Sequence, residues 1–177
     1  MRNRTAVIPI VLLLMFAIAS LMFPACTPQR EEHTKVTYTI ADSTGDWGYP
    51  SPYCHYPRGP GYIRMSFIFD TLVWKDASEL VPALAKEWEY VAAENAYIFS
   101  LRHDVTWHDG AEFTAEDVVF TFSYTKDHPY QWVDSGIVKS AEVLGEYTVK
   151  LYLSKPYAPF FQDVACTQPI IPKHIWQ

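Results

Sequence analysis

Apolar and polar positions alternate most regularly around residue 100, where Tyr97, Phe99 and Leu101 take one side and Ile98, Ser100 and Arg102 the other. A period of two marks a strand with one face more apolar than the other. His108-Asp109-Gly110 follows as a turn, because Asp bonds its own backbone and Gly accepts positive φ. Thr114 then suits the N-cap of a helix with Asp117 three residues on, and Phe113 and Val118 stand at the positions of a hydrophobic staple. Val118 and Phe122, four apart, carry one apolar face along that helix. Further on, Val138–Leu144 and Tyr147–Leu153 read as a hairpin closed across Gly145-Glu146, with Gly145 at the first central position of a type II′ turn. Val149, Leu151 and Leu153 share the face of Tyr147, and Thr148, Lys150 and Tyr152 the other.

The remaining segments are shorter. Val36–Ile40 alternates and is β-branched, which predicts an opening strand. Residues 41–60 hold four prolines and repeated aromatics, which excludes regular structure. Residues 61–75 are apolar, with helical spacing at Ile63 and Phe67 and a β-like end at Thr71–Trp74, and read as core. Leu80–Trp88 predicts a short helix with Pro82 in its first turn. Lys155–Phe161 reads as a proline-bracketed helical start. Strands and helices mix without a repeating βαβ unit, so the class is α+β.

At the N-terminus Arg2 and Arg4 precede an uncharged run with an apolar core between Ala6 and Phe23. A basic start, an apolar stretch and a small residue define an export signal. Phe23-Pro24-Ala25-Cys26 resembles a lipoprotein box, with Ala25 before the cut and Cys26 taking the lipid; Phe23 departs from the usual Leu. Plain cleavage and a retained membrane anchor are the alternatives, and all three export the rest of the chain. Residues 27–35 are polar and suit a tether.

Three strings in the middle of the chain carry a family resemblance: LVPALAKEWE from Leu80, YIFSLRHDVTWHDG from Tyr97 and FTAEDVVFTF from Phe113. Together with the closing IIPKHIW from Ile170 they resemble family 5 extracellular solute-binding proteins, the peptide/nickel-type binding component of ABC importers. The resemblance implies the N-terminal part of a two-lobed periplasmic-binding-protein-like fold (type II, cluster C). It divides the chain into a signal over residues 1–25, Cys26 and its tether over 26–35, the start of lobe I over 36–56, an inserted subdomain over 57–165 and a return to lobe I over 166–177. It covers only the opening part of such a protein, so the second lobe is expected to be absent and the apolar Ile170–Trp176 end to be exposed. Lobe closure around an oligopeptide or similar small solute, nickel complexes included, then delivery to ABC permease subunits, is the implied mechanism. The segment after the first strand lines the cleft in this family, which implies ligand-binding roles for Tyr53, His55 and Tyr56, and for Trp132 from the inserted subdomain. A surface loop with plugging aromatics, and a tryptophan packed on a helix end, remain open readings of the same residues.

Charge and cysteine content change the picture little. The chain has 14 Lys+Arg against 20 Asp+Glu, and removing residues 1–25 takes two arginines and no acid. No basic cluster suits phosphates, so nucleic acid is excluded as a partner. Besides Cys26, Cys54 and Cys166 are the pair available for a disulfide outside the cell, and two separate buried thiols fit equally. His103 and His108 with Asp109 lack compact ligand spacing; Cys54-His55, adjacent near the expected cleft, is the better though weak metal candidate, and no metal or cofactor is assigned. No GxSxG, P-loop or HExxH supports an enzyme. A membrane-anchored scaffold protein is the alternative function. The anchoring expectation is checked by mass spectrometry after expression in a lipoprotein-processing host: the mature chain begins at a diacylated Cys26, and Cys26→Ser abolishes the modification. Detection of residues 1–25 still attached contradicts it.

Overall fold

A computed structural model describes residues 65–129 and 133–177, together with Thr37, Thr39 and 51–53. The expected opening strand and export signal, and the aromatic segment apart from 51–53, lie outside the described residues; Thr37 and Thr39 are exposed and in no regular element. Residues 42–177 form one compact unit, to which everything below refers.

Met65 and Ser66 are helical, and the chain then enters strand β1 (Val73–Lys75), which pairs antiparallel with β2 (Leu80–Pro82). Asp76 shapes the turn between them, its Oδ1 accepting from the N–H groups of Ser78 and Glu79 at 2.7 Å each. Strand β3 (Ala85–Val91) follows at once and pairs with β4 (Ala96–Leu101). The helix expected over Leu80–Trp88 is therefore two strands. A residue before proline is pushed out of the α region, and at Val81 that restriction falls on a β-branched side chain. Beyond Pro82, pairing with β4 from Ala85 to Val91 overrides the helix propensity of Ala-Lys-Glu. The β3–β4 turn ends on Asn95 at φ 50°, a left-handed conformation Asn tolerates. Asn95 earns that position through its amide: Nδ2 donates to the Leu153 carbonyl at 3.0 Å, and Oδ1 accepts from the Tyr90 hydroxyl at 2.8 Å.

Helix α1 (Ala115–Asp127), strand β5 (Val138–Gly145) and strand β6 (Thr148–Leu153) complete the framework. Among the described residues the larger sheet has four antiparallel strands in the order β3-β4-β6-β5. Phe99 faces Val149 and Tyr97 faces Leu151 across β4 and β6, as the alternation predicts. That face packs on α1 through Val118 and Phe122, and Phe99, Leu101, Val118 and Val149 are fully buried. The other face carries Lys150, whose ammonium lies 2.6 Å from the Glu94 carboxylate.

The β5–β6 turn is displaced by one residue from its expected place. Gly145 pairs with Thr148, so Glu146 and Tyr147 are central, and Gly110 is the described glycine at positive φ. The turn carbonyls explain the choice. Glu146 accepts from the Ala115 N–H at 2.9 Å, an orphan donor of the first helical turn, and Tyr147 accepts from Leu101 at 2.8 Å. A turn centred one residue earlier would take both carbonyls away.

After β6 the chain rises through a π-helical turn (Phe161–Ala165) and returns through residues 166–172 to a short helix α2 (Lys173–Trp176). Phe160 is buried, its ring stacked on Tyr97 at 4.5 Å with 8° between planes. Ile170 and Ile171 are fully buried, against the expectation of an exposed apolar end; Ile175 alone of the three isoleucines there is exposed. Phe67, expected in the core, is 67% exposed, while Leu72 and Val73 of the same segment are buried. Phe160→Ala removes a buried aromatic and a stack, and is expected to cost about 3–5 kcal/mol. Val118→Asp sets a charge against the β-sheet and should cost at least as much. Chemical denaturation measures both, and parental midpoints contradict the packing described.

Candidate functional site

Gly110, at φ 90°, closes the tight turn that the sequence predicts: its N–H donates to the Trp107 carbonyl, and Asp109 Oδ1 accepts from Ala111 N–H at 3.1 Å. The chain reverses there, Thr106 bridging to Glu112, and Thr114 begins α1 in extended conformation. Thr114 and Asp117 form a capping box. The Asp117 side chain does more than cap. It is 4% exposed, and its Oδ2 accepts from Thr114 N–H at 3.0 Å and from the Trp107 indole N–H at 3.3 Å. Its Oδ1 accepts from the backbone N–H of Lys173 at 2.8 Å. A buried carboxylate must have its lone pairs filled, and here three separate segments fill them.

One turn along the helix, Thr121 repeats the connection. Its hydroxyl donates to the Asp117 carbonyl at 2.7 Å and accepts from Ile171 N–H at 3.1 Å. Two exposed pairs flank these buried bonds: Lys173 Nζ lies 2.7 Å from Glu116 Oε2, and His174 Nε2 lies 2.7 Å from Asp109 Oδ2. The return segment and α2 are thereby seated on the turn and on the first half of α1.

This seating positions an aromatic group. Trp176, at the end of α2, meets Tyr124 of α1 edge-on at 5.7 Å, and Tyr53 packs against both, 5.3 Å from Tyr124 and 5.5 Å from Trp176. Tyr124 also stacks on His128 at 4.2 Å and 14°. Edge and tilted contacts at these separations are favourable for rings carrying opposed quadrupoles. Tyr53 is half-buried in this group, so one of the four residues expected at a ligand is seen, and it packs against α1 and α2. His55, Tyr56 and Trp132 lie outside the described residues, as do Cys26 and Cys54.

Tyr124, Trp176 and Asp117 were not singled out for this role by sequence. The i, i+4 spacing of Phe120, Tyr124 and His128 is a signal for a ring column on α1, but Trp176 reaches it only through the long-range return. Cys166 is a half-buried free thiol, and burial pushes its titration up. His103 and His108 are exposed, His103 lying edge-on to Tyr147. Among the described residues no group of three or more His, Cys, Asp or Glu side chains is placed to hold a metal ion.

The Asp109 contact gives a pH test. The hydrogen bond with His174 and the N–H of Ala111 hold the Asp109 carboxyl below its ordinary 3.8. A lowered folded value means the contribution is present above 3.8 and is lost as pH falls through the lower folded value. Melting curves of the parent and Asp109→Asn should differ at neutral pH and converge on acidification below that range. A difference that grows with acid contradicts the assignment.

Comparison with known proteins places these elements in context. Residues 79–176 match the family described as bacterial extracellular solute-binding proteins, family 5 Middle. The dipeptide-binding protein of Escherichia coli (strain K12) is 35% identical over 108 residues, which is 50% of this chain and 20% of that protein. Among solved structures, NikA from Brucella suis in complex with Fe(III)-EDTA superposes with a TM-score of 0.66 at 27% identity, covering 75% of this chain and 27% of that one. DppA from Helicobacter pylori in complex with the peptide STSA gives 0.60 at 28% identity, covering 73% and 30%. The chain thus spans about a fifth of the length of the curated relative and under a third of the two structures.

Proposed function

The chain belongs to the family 5 bacterial extracellular solute-binding proteins, and from that premise we propose that it captures a peptide-like solute outside the cytoplasm for an ABC permease. The match over residues 79–176 carries the reading, supported by relatives named for dipeptide and peptide binding. The family is one of binding proteins rather than enzymes, and no chemical step is assigned to any residue here. Cys26 would hold the protein to the membrane through its lipid, leaving the acidic body at the outer surface.

In this reading the described unit supplies one wall of the cleft. Tyr53 joins the aromatic segment to α1 and α2, and His55, Tyr56 and Trp132 present their rings to the solute. Aromatic rings suit peptides because they cover apolar side chains without demanding a sequence. A single wall leaves much of the ligand hydrated, so affinity should be weak compared with full enclosure. NikA, solved with Fe(III)-EDTA, favours a metal chelate as the second reading.

Calorimetric titration of the purified chain with a dipeptide and tripeptide pool, and separately with a nickel–histidine complex, tests both. The expected result is saturable binding of the peptides in the micromolar range or weaker, reduced about tenfold in Trp132→Ala, as loss of a well-packed ring implies. No heat and no thermal stabilisation with either ligand class would favour the scaffold reading. Sub-micromolar binding by the monomer would contradict the single wall.

A further inference from the structure

A concavity lies among residues other than those of the aromatic group. It encloses about 360 Å³, within the range of small-molecule sites, between β2, the segment before β1 and the irregular segment leading into the Gly110 turn. Trp74 and Trp107 stand in its walls, with Leu84 and Phe113 among the apolar residues and Asp70 and Arg102 among the polar ones.

The hydrogen bonding of these side chains decides what the cleft can take. Both indole N–H groups are already used: Trp74 donates to Asp70 Oδ1, and Trp107 donates to Asp117. The indoles therefore offer ring surface and no donor. Arg102 is held by Asp104, its Nε and one terminal nitrogen donating to the two carboxylate oxygens at 3.0 and 2.9 Å. That pair holds the guanidinium firmly charged and the Asp104 carboxyl below its ordinary value, with Asp70 adding to the field on Arg102. Asp70 is different. Its Oδ1 accepts from Thr71 N–H at 2.7 Å as well as from Trp74, while its Oδ2 has no hydrogen-bond partner among the described residues. Lys75 lies beside Asp70 in the adjoining smaller hollow, but its ammonium is directed to Gln162 at 3.4 Å.

Two indole surfaces and an open carboxylate oxygen, with the lining's one arginine ion-paired to Asp104 outside the cleft through two of its five N–H groups, leave Asp70 as the charged group of the lining with no salt bridge among the described residues. Ring faces attract cations through their quadrupole, and an organic ammonium attached to an apolar body satisfies the carboxylate and the walls together. We propose that this cleft binds a small organic ammonium ion, its nitrogen at Asp70 and its apolar body between Trp74 and Trp107. The site is independent of the peptide cleft proposed above. A free amine and a peptide α-ammonium share the required chemistry.

The test follows the indole N–H resonances of Trp74 and Trp107 in the full chain during titration with phenethylammonium. Both should shift and saturate in the millimolar range. Asp70→Asn keeps the acceptor for Thr71 and Trp74 but loses the charge, and should weaken binding by about tenfold or more. Trp74→Phe, a smaller change in wall, should weaken it several-fold and covers the case in which the asparagine variant is unstable. Neutral 3-phenylpropanol should shift the resonances far less. Glycyl-phenylalanine amide set against its N-acetyl form decides the source: binding of the free form only makes the occupant a peptide terminus, and phenethylammonium binding without it makes the occupant a free amine. Absence of shifts with all amines, equal affinity for the alcohol, or undiminished affinity in Asp70→Asn overturns the proposal.

Discussion

Three backbone segments meet at the carboxylate of Asp117, and the placement of nearly everything else in the unit depends on that meeting. A buried carboxylate left short of donors costs several kcal/mol, so the group enforces the approach of whatever satisfies it. Its partners are the N-cap amide of its own helix, the Trp107 indole before the Gly110 turn and the Lys173 amide after the return segment. The last is 56 residues away in sequence. Hydrophobic burial brings the helix onto the sheet, but it is non-directional and would tolerate a range of positions for the return. The hydrogen bonds of Asp117 and Thr121 select one of them.

That selection reaches the aromatic group through α2. Seating Lys173 on Asp117 sets the direction of the short helix, and the helix carries Trp176 to Tyr124 and Tyr53. The ring group then holds Tyr53 against α1 and α2. The proposed solute wall and the capping of α1 are in this sense consequences of one junction. The proposed ammonium cleft uses the same junction, since Trp107 is held by Asp117 and also lines the cavity.

Local chemistry was legible in the sequence wherever a residue acts within its own turn or pairs with a strand of plain alternation. The cap at Thr114, the Gly110 turn, β4 and the β5–β6 hairpin follow from spacing alone, and the family strings pointed to the solute-binding class. Several readings failed for long-range reasons. Leu80–Trp88 has the composition of a helix, and only the partners β1 and β4 make it two strands. Gly145 has the freedom for a type II′ turn, yet the turn moved by one residue because Ala115 and Leu101 needed its carbonyls. The return segment shows the same limit: Ile170 and Ile171 look like a loose apolar end until Asp70 and Thr121 are known to receive their amides. Of the expected solute residues, Tyr53 is the one in view, and its packing against α1 and α2 is a contact that spacing does not encode.

The account rests on Asp117 as the junction, and native-state hydrogen exchange of individual amides addresses it most directly. In the parent, the Lys173 amide should be protected as strongly as the amides of α1, although it begins a helix of four residues near the chain end. In Asp117→Ala, protection at Lys173 and Thr114 should fall together, with Ile175 and Trp176 following, while the β4–β6 amides keep theirs. Fast exchange at Lys173 in the parent, or protection unchanged in the variant, would show that packing alone seats the return and would contradict the junction.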